Sequence, residues 1–328
     1  MHAIVPVAGK GTRMRPHTWS RPKPLLGVAG KPMLAHILDD LVEAGLKKIS
    51  LVVGYKGDEI ERWAKERYGG RAEIYCPRQE TMDGLASAIA LAEPNVGEEK
   101  AFVVLGDTIF RADLEGLLRS DRNMICAMKV EDPRRFGVVV MEDERVVRLV
   151  EKPQEFVSDL AIVGLYLFQS APSLMSAIHE LLDSGKRTKG EFQLTDAMQI
   201  MLDREEEFGT FEIDGWYDCG KPETLLQTNR DLLERAGGAR RATEDGAVIV
   251  EPVYLEAGAV IRRSVVGPAV TVARDAVVED SVVSNSILDA GCRVSGARLD
   301  GSIVGMRAEV TGRAAGLGVG DDSVVELG

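Results

Sequence analysis

Histidine and cysteine are both scarce in this chain, with four of each among 328 residues. Cys76, Cys126, Cys219 and Cys292 are widely scattered and none belongs to a CxxC pair. That argues against a disulfide framework and against a zinc site, and it fits a reducing compartment. The histidines (His2, His17, His36 and His179) furnish no Ser/His/Asp or Cys/His constellation for nucleophilic catalysis. Basic charge is in deficit too. Lys and Arg number 40 against 52 Asp and Glu, leaving a formal net charge of −12. An acidic surface excludes the basic footprint that non-specific nucleic-acid or anionic-membrane binding needs. It does not exclude a small anionic substrate, because a few well-placed cations dominate locally. No apolar run approaches the roughly 18 residues of a membrane span. Met1-His2-Ala3-Ile4 enters a strand-like run without a charged segment ahead of it. The expectation is a cytoplasmic protein with neither nucleic acid nor membrane as partner.

What is present is ordinary globular material, 45% apolar and 28% charged, long enough for two domains. Residues 1–235 alternate β-branched runs with amphipathic patterns. Ile4–Val7, Ile49–Val53, Ala72–Tyr75, Phe102–Leu105 and Ile125–Val130 read as strands. Pro32–Ala44 carries apolar residues at Leu34, Leu38, Leu41 and Val42 and stops at Gly45, a helix with a glycine cap. Asp58–Arg67 and Gly84–Ala92 are further helices. Strand alternating with helix predicts an α/β domain whose sheet binds ligands at strand carboxyl ends. Val138–Met141, Val146–Val150 and Ile162–Phe168 follow at closer spacing, so the sheet should be mixed.

Residues 236–245 are polar, glycine-containing and non-periodic, and read as a linker. Beyond them, over 246–328, aliphatic residues recur every five or six positions: Leu255, Ile261, Val266, Val272, Val278, Val283, Leu288, Val294, Leu299, Val304 and Val310. Small or turn-forming residues lie between. A near-hexapeptide period is the signature of a β-helix, here of three or four rungs. Ordinary strands in a sandwich are the alternative. Three steps span 16 or 17 residues rather than 18, so the coil should be slightly irregular.

The chemistry begins at the first strand. Ile4-Val5-Pro6-Val7 runs into Ala8-Gly9-Lys10-Gly11-Thr12-Arg13. Two glycines so spaced let the backbone turn sharply and aim several N–H groups at one anion. Arg13 adds a planar, permanently charged fork suited to phosphate oxygens. The segment is neither a Walker A loop nor a dinucleotide fingerprint. It continues through Pro16-His17-Thr18 to Lys23-Pro24-Leu25 and Lys31-Pro32. Arg13, Arg15 and Lys23 place three cations within eleven residues of an acidic chain.

With these residues the chain closely resembles the sugar-1-phosphate nucleotidylyltransferase family, and within it the long-form glucose-1-phosphate thymidylyltransferases. The resemblance implies a Rossmann-like mixed-sheet nucleotidyltransferase domain followed by a short left-handed β-helix. It implies that Ala8, Gly9, Gly11, Thr12, Arg13 and Lys23 wrap the triphosphate. One departure is Val7-Ala8, where many members carry Ala-Ala or Ala-Gly.

Gln79-Glu80-Thr81-Met82-Asp83-Gly84 follows a strand. A glutamine amide can pair with the edge of thymine or uracil, and a glycine lets a flat base approach. Alone, Gln79 reads as a surface-loop residue. The resemblance gives Gln79 and Gly84 to the base; this segment looks like the thymidylyltransferase branch and the opening strand like uridylyltransferases. Phe102–Leu105 ends in Gly106-Asp107, a buried strand carrying a carboxylate that suits a metal or a helix cap. Asp113 lies nearer the following helix and is the better cap. Asp107 matches the family's metal-binding aspartate, and Trp216-Tyr217-Asp218-Cys219-Gly220 supplies the second, Asp218. The implied cofactor is Mg²⁺, which takes few protein ligands. The resemblance further implies that Gly137, Glu151, Lys152 and Glu191 hold the sugar phosphate. By themselves, Glu151-Lys152-Pro153 is a commonplace turn, and the segment after Glu191 reads as a helix start capped at Thr195.

The implied reaction joins a nucleoside triphosphate, dTTP or UTP, to a sugar 1-phosphate such as glucose 1-phosphate. Its nucleophile is already an anion, so no general base is needed. Arg13, Lys23, Asp107 and Lys152 would carry the catalysis by positioning and charge neutralisation. Two other readings stand beside it. The coil resembles the tails of bifunctional uridylyltransferase/acetyltransferases, but no histidine lies in it. A non-catalytic regulatory subunit should have damaged phosphate or metal positions, and here these are all present. The coil is expected to assemble the chain into a homo-oligomer.

Overall fold

The computed structural model describes residues 1–143, 145–237, 246–312 and 316–327. The chain divides into two compact units, one of Met1–Gly9 with Ile37–Trp216, the other of Lys10–His36 with Tyr217–Gly328.

In the first unit, Ala3-Ile4-Val5 offers no polar face, and the strand it forms, His2–Pro6, is accordingly enclosed on both edges. Lys48–Val52 and Ala101–Val104 flank it, both parallel. Glu73–Tyr75 extends the parallel half beyond Lys48–Val52. On the other side Leu160–Phe168 pairs antiparallel with Ala101–Val104 and with Asn123–Lys129. Gly137–Glu142 and Arg145–Glu151 form an antiparallel pair at the edge. The sheet is mixed, as the tighter spacing of the later strands requires. Helices Ala171–Ser184 and Leu194–Asp203 cover it, and Leu174, Ile178, Met198 and Met201 join Ile4, Val103 and Phe168 in one buried core. Each such large side chain contributes about 1.5–3 kcal/mol by leaving water.

The helix Met33–Glu43 ends as its sequence predicts. Gly45 N–H donates to Val42 O at 3.1 Å and Leu46 N–H to Leu41 O at 3.0 Å, the paired bonds of a Schellman cap. Asp113 caps the short helix Leu114–Leu118, its Oδ1 accepting from Gly116 N–H at 2.9 Å.

In the second unit, the helix Pro222–Ala236 stops at Gly237, which adopts φ 72°. Ala236 therefore belongs to a helix rather than to a linker, and residues 238–245 lie outside the described residues. The coil that follows is a β-helix of three parallel sheets. Val248 pairs with Val265, Val265 with Val282, and Val282 with Arg298, steps of 17, 17 and 16 residues. Glu309 to Val324 closes a step of 15. The irregular coil read from the aliphatic spacing is thus present, with more rungs than the three or four expected. Two of its sheets contain five strands among the described residues, because Gly318–Val319 and Val324–Leu327 add strands past Val310.

Buried Asn229 ties this unit together. Its Oδ1 accepts from Ala29 N–H at 2.9 Å and from Thr271 Oγ1 at 2.7 Å, and its Nδ2 donates to Ala269 O at 3.3 Å. One amide thus joins the helix, the coil and the segment Lys10–His36.

Candidate active site

The glycine-rich loop is shaped by a turn that only glycine makes comfortably. Gly11 has φ 61°, and its carbonyl accepts from Met14 N–H at 2.9 Å and from Thr18 Oγ1 at 2.9 Å. A Cβ on Gly11 would lie 2.8 Å from Lys23 Cβ, so glycine also lets the lysine stem approach. Lys23 is buried, at 8% exposure, which is uncommon for lysine and fixes where its charge can reach. Thr12 and Arg13 sit exposed in the single 3₁₀ turn Thr12–Met14. Arg15 leans over the Trp19 ring, 5.9 Å from its centre.

Arg13 and Asp218 converge at Gly220. Asp218 Oδ1 accepts from Gly220 N–H at 2.9 Å. A Cβ on Gly220 would fall 2.8 Å from Asp218 Oδ1 and 3.2 Å from Arg13 Nη2. The loop's permanent cation and one proposed metal carboxylate therefore flank the same glycine, with opposite charges and an oriented carboxylate. All of these residues belong to the second unit.

The remaining sites lie in the first unit. Asp107 is half-buried in the turn after Ala101–Val104, where Thr108 N–H donates to Leu105 O at 3.1 Å. Ala8 is buried, and its carbonyl accepts from Tyr55 N–H at 3.2 Å. Gly9 has open space where a side chain would stand. Among the described residues no three His, Cys, Asp or Glu side chains gather as a metal cluster. Asp107 and Asp218 each offer hard carboxylate oxygens, a donor type that suits Mg²⁺.

Gln79 is buried; its Nε2 donates to Gly84 O and to Ser87 Oγ, each at 3.3 Å. Ser87 in turn donates to Asp83. Gly84 has φ 136°, and a Cβ there would meet Phe192 O at 2.3 Å. Its freedom is used against a neighbouring backbone: Phe192 N–H donates to Asp83 O at 2.8 Å and Ala86 N–H to Phe192 O at 3.0 Å. Arg187 stacks on the Phe192 ring at 4.0 Å. Glu191, beside Phe192, is exposed, and its Oε2 accepts from Gln193 Nε2 at 3.3 Å. The structure thus joins the segment holding Gln79 and Gly84 to the segment holding Glu191.

Gly137 and Glu151 are directly paired across the edge strands. Glu151 Oε1 lies 3.1 Å from Lys152 Nζ, and Oε2 accepts from Thr195 Oγ1 at 2.8 Å. Lys152 has φ 44°, a backbone region that non-glycine residues seldom occupy and that concentrates at functional positions. A Cβ on Gly137 would sit 3.0 Å from Glu151 Oε2 and 3.2 Å from Thr195 Oγ1. Next to it Phe136 meets Trp216 edge-on, with ring centres 4.6 Å apart. The buried Nε1 of Trp216 has no hydrogen-bond partner among the described residues, which is rare for a buried donor.

Thr195 and Trp216 were not singled out as site residues from sequence. The sequence pattern suggests Thr195 as a helix cap, but the helix begins at Leu194 with Gln193 at its N-cap. Its hydroxyl goes to Glu151 instead. Among the described residues no helix is long and apolar enough to cross a membrane.

Comparison with known proteins gives the family. The family model described as nucleotidyl transferase matches residues 2–235. Glucose-1-phosphate thymidylyltransferase of Streptomyces antibioticus is 31% identical, over 100% of this chain and 99% of its own. Bifunctional protein GlmU of Methanocaldococcus jannaschii is 36% identical, but over 79% of this chain and 61% of its own. Among solved structures, one from Bacillus anthracis assigned as a glucose-1-phosphate thymidylyltransferase, in complex with sucrose, superposes with a TM-score of 0.64. It is 27% identical and covers 74% of this chain and 98% of its own.

Proposed function

Since the chain belongs to the nucleotidyl transferase family, we propose that it transfers a nucleotidyl group from dTTP, or secondarily UTP, to a sugar 1-phosphate, with glucose 1-phosphate as the first candidate. The observation that carries the reading is the Gly11 turn against buried Lys23, with Arg13 beside Asp218 at Gly220. A tight glycine turn beside a permanent guanidinium and a buried lysine suits a polyphosphate. The relative that spans the whole chain is named for glucose 1-phosphate and thymidylyl transfer, which supports that sugar and base.

In this reading an oxygen of the sugar 1-phosphate attacks the α-phosphorus of the triphosphate. A new P–O bond forms, the bond from the α-phosphorus to the bridging oxygen breaks, and pyrophosphate leaves with the electron pair. Arg13 and Lys23 hold the triphosphate and offset the charge that grows on it. Gln79 faces the base, and Gly84, whose clearance Phe192 takes up, shapes the loop beside it. Lys152 neutralises the sugar phosphate, so that two anions can approach. Glu151, held by Thr195, accepts from a sugar hydroxyl, and the unpartnered Trp216 Nε1 is a candidate donor to another. Asp107 and Asp218 are the proposed carboxylates for Mg²⁺. When bound, that ion supplies further neutralisation of phosphate charge.

The test is pyrophosphate release by the full chain with Mg²⁺, crossing dTTP, UTP, ATP, CTP and GTP with several sugar 1-phosphates. No release with any pair would defeat the proposal, and preference for another base or sugar would redirect it. The coil is proposed to support self-association. Val248 and Val282, 54% and 43% exposed, belong to one sheet of its outer surface. A monomer in sedimentation would contradict that part.

A further inference from the structure

Arg13 and Lys23 are ten positions apart, and the stretch between them contains only the four-residue helix His17–Ser20. One helical turn has little stability of its own. The coil holds it. Arg21 Nη1 donates to Asp289 Oδ2 in a largely buried ion pair. Ser20 Oγ donates to Asp321 Oδ2 at 2.5 Å. Asp289 and Asp321 follow Ile287–Leu288 and Gly318–Val319, two strands of one parallel sheet of the coil. Both carboxylates are themselves anchored: Asp289 Oδ1 accepts from Ala290 N–H at 2.7 Å and Asp321 Oδ1 from Met306 N–H at 2.8 Å. His17 is buried against the same surface, 3% exposed; burial lowers its pKa, while Asp321 and Asp289 act in the opposite direction. Glycines keep the contact close. A Cβ on Gly320 would lie 3.3 Å from Pro16 Cβ, and one on Gly318 3.8 Å from His17 Nε2.

We propose that Asp289 and Asp321 are positioning residues that clasp His17–Arg21 to the coil and thereby set the spacing of Arg13 and Lys23 for a triphosphate. The coil is then part of the nucleotide-binding apparatus as well as an assembly module. Two carboxylates that touch no substrate act through the backbone that links two cations. Loosening the clasp should weaken triphosphate binding selectively, because nothing in this network includes Gly137, Glu151 or Lys152. The inference rests on the triphosphate reading of Arg13 and Lys23.

The experiment uses the full chain with Asp289→Arg, the exchanged pair Arg21→Asp with Asp289→Arg, and Asp321→Asn. Asp289→Arg is expected to raise KM for the triphosphate about tenfold while KM for the sugar phosphate moves less than about twofold. Exchanging the charges is expected to restore most of the loss. An equal rise in both KM values, no rise, or an exchange that recovers melting temperature without KM would overturn the clasp. Should Asp289→Arg fail to fold, Asp321→Asn removes one charge at constant volume and should show the same selectivity, more weakly. Amide hydrogen exchange over residues 9–26 decides the geometry without activity: it should quicken in the variants, and unchanged exchange would sink the idea. A wild-type chain that releases no pyrophosphate would overturn the triphosphate reading, while the exchange result would still decide the clasp.

Discussion

Thr195 Oγ1 donates to Glu151 Oε2 at 2.8 Å, binding the first turn of a helix to the last residue of an edge strand. Lys152 Nζ occupies the other carboxylate oxygen at 3.1 Å. A carboxylate so held keeps one orientation, beside a Lys152 whose backbone is itself unusual. Thr195→Val retains the shape and removes the hydroxyl. It is expected to raise KM for the sugar phosphate several-fold, on the order of a 1 kcal/mol loss, with little change in KM for the triphosphate. Steady-state kinetics varying each substrate separately checks this; an effect confined to the triphosphate would remove Glu151 from the sugar side.

Gly84→Ala is expected to damage both substrate sites together. The new Cβ would sit 2.3 Å from Phe192 O at a backbone angle that alanine rarely adopts. Relief requires moving Phe192, and Glu191 precedes it. The cost should exceed about 2 kcal/mol. Thermal denaturation should show a lower midpoint, and both KM values should rise. If only the triphosphate KM rose at unchanged stability, Gly84 would be acting on the base alone.

Acid sensitivity should begin near neutrality, with His2 as one source beside His17, whose pKa burial also lowers. The His2 side chain is fully buried, burial lowers its pKa from 6.5 to about 4, and its Nε2 is within 2.8 Å of Ser50 Oγ while Nδ1 has no partner among the described residues. The folded chain thus binds this proton less readily than the unfolded chain. The stabilisation is complete above pH 6.5 and is lost as pH falls toward 4, by at most about 3 kcal/mol. Glu99, lowered from 4.5 to about 2 by hydrogen bonds from Lys48 and the N-terminal amine, adds a later loss below pH 4.5. Urea unfolding at pH 7.5, 6 and 5 should show wild type weakening and His2→Gln weakening less over that range, the remainder belonging to His17. Parallel curves would assign the acid step elsewhere.

The site was legible where its chemistry is local. Gly9 to Arg13 could be read because turn, N–H groups and guanidinium are consecutive, and Asp113 because a cap needs only three residues. The coil could be read because its period repeats, although its rungs were undercounted: past Val310 glycine and aspartate dilute the aliphatic rhythm. What could not be read were contacts made by topology. Thr195 and Glu151 are 44 residues apart and meet only because a helix packs on an edge strand. Gly84 was read as clearance for a base, while the fold already uses that clearance for Phe192. Nor does any local pattern reveal that Arg21 answers to Asp289, 268 residues later.

Arg13 offers the most discriminating test of the phosphate cradle, because it can be changed without disturbing the core. Its side chain is exposed in a single turn, and its Nη2 would lie 3.2 Å from a Cβ on Gly220, beside the carboxylate of Asp218. Arg13→Lys keeps the charge but loses the planar fork that engages two phosphate oxygens together. Arg13→Ala loses both. If the guanidinium stabilises charge growing on the triphosphate, kcat/KM should fall by about tenfold for lysine and by about a hundredfold or more for alanine. Melting temperatures should remain close to wild type in each. Asp218→Asn should behave differently: its loss should be partly recovered by raising Mg²⁺ concentration, whereas that of Arg13→Ala should not. Pyrophosphate release measured across a Mg²⁺ series separates the two roles. Equal rescue of both variants by the ion would mean that Arg13 serves only to hold Asp218, and activity near wild type in Arg13→Ala would remove it from the cradle altogether.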